Sequence, residues 1–266
     1  MTWMQERTMS AGPGAYAGRH RGNDALRGLA ILAVVATYTT AEWATFPPGH
    51  PLTALYRSVR PALDVWVPLF LIVSGYYLGR EQVDSWATYG RYLTRRFRRI
   101  VPPYLLWATF LFALGVARGT WRVSDYAIGI VNGHFAYPYY FLSVLIKLYL
   151  LYPIYAWALR APARAVLSLV GAGGLGVLLF LAVNAQPCGR FAARSRLLAW
   201  LGVRSYTIYL LHEPWLQWSK YLLGDLVAER PVLAQVPLVA AALGVPLALR
   251  WVAGSLLGSR AAWVTG

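Results

Sequence analysis

Apolar residues fall along this chain in runs of about 20, separated by short stretches rich in arginine, tyrosine and tryptophan. A helix rising 1.5 Å per residue needs about 20 apolar positions to cross a hydrocarbon core. Runs such as LAILAVVA and AGGLGVLLFLAV do not alternate, which argues against a transmembrane β-barrel built of ten-residue alternating strands. The pattern predicts an all-α, polytopic transmembrane helix bundle of about seven spans (six to eight): 25–44, 61–79, 101–117, 139–159, 164–184, 203–223 and 231–255. Loops between them are short, so no soluble domain is expected. The division is an N-terminal tail over 1–24, a membrane domain over 25–257 and a C-terminal tail over 258–266. The first 24 residues are polar and Gly-rich, which predicts no cleavable signal peptide.

Arginines in the connecting stretches set an expected orientation. Arg19, Arg21 and Arg27 precede or open the first span, and Arg91, Arg95, Arg96, Arg98 and Arg99 follow the second. Both groups belong on the cytoplasmic side of an inner membrane, with a cytoplasmic N-terminus. Arg190, Arg194, Arg196 and Arg204 also ask to be inside, yet five preceding spans would place them outside. One crossing is therefore miscounted, with 123–134 the ambiguous segment, or one segment is re-entrant.

Composition sharpens this picture. Hydrophobic residues make up 58% and charged residues 13%, about half the charged share of a soluble domain. The 25 Lys and Arg against 10 Asp and Glu give +15, but the basic residues sit between apolar runs. They read as topology anchors and as contacts to lipid headgroups or anionic substrates, with no nucleic-acid partner. Trp and Tyr gather near span ends, as interfacial belts do. A single cysteine, Cys188, excludes an internal disulfide, and no His/Asp/Glu cluster predicts a metal. High Arg, Ala and Gly usage suggests a GC-rich bacterial source.

Ionisable and polar groups inside a bilayer are costly unless paired or lining a cavity, so they mark candidate sites. Asp24 is placed to pair with Arg27 one turn on. Arg27 and Tyr38, eleven residues apart, share a helix face about 16 Å apart. Asp64 needs a partner, with Arg57 and Arg60 available. In RYLTRRFRRIVPPY, the forks of Arg95, Arg96, Arg98 and Arg99 suit a multiply anionic ligand. In SYTIYLLHEPW, Ser205, Tyr209 and His212 stand at i, i+4 and i+7, with an imidazole able to carry a proton near neutrality. Each also has a plainer reading, as membrane anchor or packed helix glue.

The ordered blocks LRGLAILAVV, LDVWVPLFLIVSGYYLG, YLTRRFRRIVPPYLL, YYFLSVLIKLYLLYPI and VRSYTIYLLHEP resemble the acyltransferase 3 family of integral membrane acyltransferases, over residues 23 to about 215. The resemblance implies transfer of a short acyl group from acyl-CoA, a co-substrate and not a bound cofactor, to a hydroxyl on an envelope carbohydrate, a lipid-linked sugar or a secreted metabolite. It places the family's first-span arginine on Arg27, its arginine cluster on Arg95 to Arg99, its acidic residue on Asp64, its serine-glycine pair on Ser74 and Gly75, and its late motif on Ser205, Tyr206 and His212. Two departures stand out. The family's first-span histidine is Tyr38 here, and only one clear span, 164–184, separates the last two blocks.

The expected chemistry follows from these assignments. Arg27, Arg95, Arg96, Arg98 and Arg99 would hold coenzyme A phosphates. His212 would take the acceptor's proton, while Tyr38, Tyr209 and Ser205 would orient the alcohol or donate to the oxyanion. The competing expectation is a non-acylating relative acting as transporter, export partner or scaffold, or a tailoring enzyme of specialised metabolism.

Overall fold

The computed structural model describes residues 21–64, 66, 85–153 and 195–266. Most of the expected span 61–79, all of 164–184, and with them Ser74, Gly75 and Cys188, lie outside the described residues. Those described are helical, without strands. The helices are α1 (Arg21–Thr39), α2 (Pro51–Asp64), α3 (Trp86–Ala117), α4 (Tyr126–Asn132), α5 (Tyr139–Leu150), α6 (Arg196–Leu222), α7 (Gly224–Glu229), α8 (Pro231–Leu257) and α9 (Ala262–Thr265), with a 3₁₀ turn at Ala41–Thr45.

Among the described residues, α3 and the stretch Pro231–Thr265 are long and apolar enough to cross a membrane by length and composition. The α6 helix has the length, but Arg196, Arg204, His212, Glu213 and Lys220 lower its hydropathy. Gly244 and Pro246 leave α8 continuous.

The arginine run expected between spans lies instead on the first half of α3, which starts fifteen residues ahead of the predicted boundary. A capping box starts it early: the Thr88 amide donates to Ser85 Oγ (3.3 Å) and the Ser85 amide to Thr88 Oγ1 (3.0 Å). Arginine is a good helix former, so nothing breaks the helix before the apolar half.

The tightest packing joins α1 and α6. Glycine makes it possible: a Cβ on Gly28 would collide with the Leu198 carbonyl, and one on Gly202 with the Asp24 carbonyl. Small residues let helix backbones approach this closely. The two helices run the same way. Asp24 meets Gly202 at one end, Tyr38 meets His212 further along, and the Tyr38 carbonyl meets Lys220 beyond that. The α8 helix runs against both, its Gln235 donating to the Thr39 carbonyl (3.1 Å) and its Arg250 to Thr207 Oγ1 (2.9 Å).

Between α3 and α5 the ambiguous segment 123–134 turns back along α3. Tyr126 bonds Thr109 (2.7 Å), Tyr104 donates to the Ile130 carbonyl (2.5 Å), and Ser143 donates to the Val131 carbonyl. Tyr104 and Ser143 thereby satisfy carbonyls that the short α4 leaves open at its C-terminus. Gly133, at φ 70°, reverses the chain into α5. From there α5 runs down to the arginines, where Tyr89 donates to the Leu150 carbonyl (2.7 Å). Residue 150 and the start of α6 thus lie at the same end of the described helices, with the arginines of α3.

Residues 258–266, expected as a tail, fold back on the bundle. Trp107 Nε1 donates to the Val264 carbonyl (3.0 Å), and Thr207 Oγ1 to that of Thr265 (2.7 Å).

Candidate functional site

His212 is fully buried in the core of α6. Its Nδ1 lies 2.8 Å from the Tyr209 carbonyl and 3.1 Å from that of Ile208. A carbonyl only accepts, so Nδ1 carries the proton in the neutral ring and Nε2 presents its lone pair. Nε2 is buried and has no hydrogen-bond partner among the described residues. The imidazole is edge-on to the Tyr38 ring, centroids 5.1 Å apart, so α1 and α6 bring together these two candidates.

The other two candidates are engaged elsewhere. Tyr209 flanks the imidazole (5.7 Å between centroids), but its hydroxyl donates to the Pro138 carbonyl (2.6 Å). Ser205 lies about 10 Å back along the helix axis. Its hydroxyl donates to the Gly202 carbonyl (2.8 Å).

Local sequence explains the rigidity of this turn. Pro214 has no N–H, so the carbonyl of Leu210, four residues back, loses its helical donor. Tyr139 supplies one, its hydroxyl 3.0 Å from the Leu210 oxygen. Tyr139 and Tyr209 thereby cross-link the start of α5 to the turn of α6 that carries His212.

The arginines occupy the opposite end of α1 and α6. Arg96 stacks its guanidinium 5.8 Å from the centroids of both Tyr92 and Tyr149. The charges of Arg96, Arg27 and Arg99 are all felt at the Tyr149 hydroxyl, which places arginines of α1 and α3 around one point. Arg99 also faces Tyr206 and, with Arg204, the half-buried Arg250 of α8. Arg95 and Arg98 fall on the other face of α3. With Arg91 and Thr94 they line an open hollow of about 630 Å³. The five predicted anion-binding residues therefore divide, with Arg27, Arg96 and the exposed Arg99 near Tyr149 and Arg95 and Arg98 lining the open hollow.

Asp64 finds the partner expected for it in Arg60, 2.6 Å away, and both side chains are substantially exposed. Such a pair contributes little to stability. Asp24 is buried where α1 crosses α6.

Four polar residues of the bundle were not singled out from sequence. Arg250 stands inside an apolar span, which was a readable signal. Glu213 is 7% exposed and neighbours Tyr38. Lys220 pairs with Glu42 at 2.9 Å. That contact joins residues 178 apart in the chain, and no periodicity announces it. Among the described residues no cluster of three or more His, Cys, Asp or Glu could hold a metal ion.

Residues 21–186 match the family model described as an acyltransferase domain. The chain belongs to the acyltransferase 3 family. No curated protein and no solved structure matches it. The match takes in Arg27, Tyr38, Asp64 and the arginine run of α3, and stops before α6 with Ser205, Tyr209 and His212. Membership of this acyltransferase family, together with the apolar helices, makes the chain a membrane-associated, acyltransferase-like protein of a family that uses acyl-CoA-type donors.

Proposed function

We propose that the protein is a multi-pass inner-membrane O-acyltransferase, with its arginine end in the cytoplasm. It would move a short acyl group from acyl-CoA to a hydroxyl on an envelope carbohydrate, a lipid-linked sugar or a secreted metabolite. The observation that carries this reading is Nε2 of His212, unpartnered among the described residues and buried beside Tyr38, with its tautomer set by the Tyr209 carbonyl. Where family members carry a first-span histidine, this chain has Tyr38, and α6 supplies an imidazole against that same side chain.

In this reading Arg27, Arg96 and Arg99 take the coenzyme A phosphates through charge-assisted hydrogen bonds, with Arg95 and Arg98 contributing from the outer face. The pantetheine arm carries the thioester toward His212. The acceptor oxygen attacks the thioester carbonyl as Nε2 removes its proton. A carbon–oxygen bond forms, the carbon–sulfur bond breaks, and the proton passes from His212 to the departing thiolate. Tyr38 is placed to donate to the tetrahedral oxyanion or to orient the alcohol. Tyr209 acts indirectly, by holding the α6 turn through Pro138, and Ser205 contributes to helix packing. The working unit is the membrane domain, 25–257, built on about seven spans.

The test is mass spectrometry of purified protein incubated with labelled acetyl-CoA and membrane extract. Transfer by wild type that is lost in His212→Ala supports the reading. Absence of transfer by wild type, with transfer by Tyr38→His, would instead identify a relative that has given up acylation for binding or transport.

A further inference from the structure

At the end of α6 away from the arginines, a hollow of about 600 Å³ opens beside the Ala41–Thr45 turn, lined by residues including Glu42, Phe46, Gln217, Lys220 and Tyr221. Lys220 Nζ donates to the Tyr38 carbonyl (3.1 Å) and to Glu42 Oε1 (2.9 Å), tying α6 to that turn. One turn deeper, Gln217 Nε2 donates to Glu213 Oε1 (2.8 Å). Residues 213, 217 and 220 share a helix face, so they form a polar strip leading from the hollow to the buried contact of His212 with Tyr38. Gln217 is its partition, lining the hollow on one side and bonding Glu213 on the other.

Two acceptor atoms end this strip, Glu213 Oε2 and His212 Nε2, both buried and both without a hydrogen-bond partner among the described residues. Buried polar atoms are nearly always satisfied, and among the described residues His212 Nε2 and Glu213 Oε2 are exceptions, as are the indole donors of Trp43 and Trp215; the two acceptors, on neighbouring residues of α6, point to a ligand that completes them. The missing partners are donors. A neighbouring pair of hydroxyl groups supplies two of them, whereas a carboxylate or phosphate brings only further acceptors. Charge agrees: the strip and its mouth hold two carboxyl groups, Glu42 and Glu213, against one ammonium that Glu42 already engages.

We propose that this hollow and strip form the acceptor subsite, and that it selects a neutral, multiply hydroxylated acceptor over an acidic one. Rotation of the Gln217 amide joins the hollow to the buried turn. One hydroxyl then donates to His212 Nε2 and is acylated, while its neighbour donates to Glu213 Oε2. Glu213 is a specificity residue in this scheme and takes no part in the proton transfer. The proposal rests on the O-acyltransferase reading above.

The test uses the full chain in lipid nanodiscs, labelled acetyl-CoA, and membrane extract separated on an anion exchanger into neutral and acidic glycan-bearing fractions. Wild type is expected to label the neutral fraction at least about tenfold faster. The near-isosteric Glu213→Gln is expected to raise the acceptor KM about tenfold or more, the loss of one hydrogen bond to a carboxylate. Its acetyl-CoA KM should stay unchanged and its kcat within about threefold. Preference for the acidic fraction, or an unchanged acceptor KM in Glu213→Gln, overturns the subsite while leaving the acyltransferase reading intact. Failure of wild type to bind acetyl-CoA, or to label either fraction, overturns both. A Gln217→Ala variant gives a second reading of the same KM should Glu213→Gln fold poorly.

Discussion

Replacing Gly202 by alanine tests whether glycine contact holds the α1–α6 pair. The new Cβ would overlap the Asp24 carbonyl oxygen and stand 3.0 Å from the Gly28 nitrogen. Both are backbone atoms of a helix and cannot swing aside, so the helices must part. Overpacking of this kind costs about 1–3 kcal/mol, and contact with backbone belongs at the upper end. Alanine recovers up to about 1 kcal/mol of helix propensity, leaving a net loss of about 2 kcal/mol. At about 2–4 °C per kcal/mol for a chain of this size, Tm should fall by about 4–8 °C. Gly244→Ala is the control, because among the described residues nothing lies within 4 Å of its Cβ. There only the propensity gain remains, and Tm should rise by about 2–4 °C. Tryptophan fluorescence of the detergent-solubilised variants during heating reads both shifts. A Gly202→Ala protein melting at or above wild type would refute the contact as the basis of the pairing.

The remaining predictions concern the site and its supports. His212→Ala should lower kcat for label transfer from acetyl-CoA by about 10²–10⁴, the usual contribution of a general base, and a rate near wild type would remove the imidazole from the mechanism. Arg96→Ala combined with Arg99→Ala should raise the acetyl-CoA KM about tenfold or more, and Arg91→Ala with Arg98→Ala should raise it by a smaller factor, about threefold; the reverse order would put the phosphates mainly on the outer face of α3. Tyr139→Phe deprives the Leu210 carbonyl of its donor and should destabilise by about 1–3 kcal/mol, read from the same melting curves, with no loss expected if water takes the hydroxyl's place.

Features written in local order were readable from the chain. The helical character of the apolar runs, the shared face of Arg27 and Tyr38, the pairing available to Asp64 and the conflict over the arginines near residue 196 all follow from spacing and charge. The conflict is informative in hindsight: α6 starts at the arginine end because α1 and α6 are parallel, and that direction depends on glycines far apart in the chain. Periodicity also placed Ser205 and Tyr209 on the face of His212 without showing where their hydroxyls go. Ser205 bonds its own helix, and Tyr209 bonds Pro138 across the bundle. The early start of α3 was hidden because Arg-rich sequence reads as loop when hydropathy alone sets the boundary. Capping chemistry at Ser85 and Thr88 was the better guide.

The Gly28–Gly202 crossing also acts as a ruler. Because backbone meets backbone there, α6 cannot slide past α1 by a fraction of a turn, and the ten residues from Gly202 to His212 become a fixed measure from that zero mark. One extra residue in this stretch would turn everything beyond it by about 100° and advance it by about 1.5 Å. The imidazole would then leave Tyr38, while composition and hydropathy would scarcely change. A single-alanine insertion after Tyr206 should therefore silence a protein that still enters the membrane, and a four-residue insertion, close to one whole turn, should restore the direction of the imidazole but set it about 6 Å too far along. The tolerance of this stretch lies in side-chain identity, and its constraint lies in length.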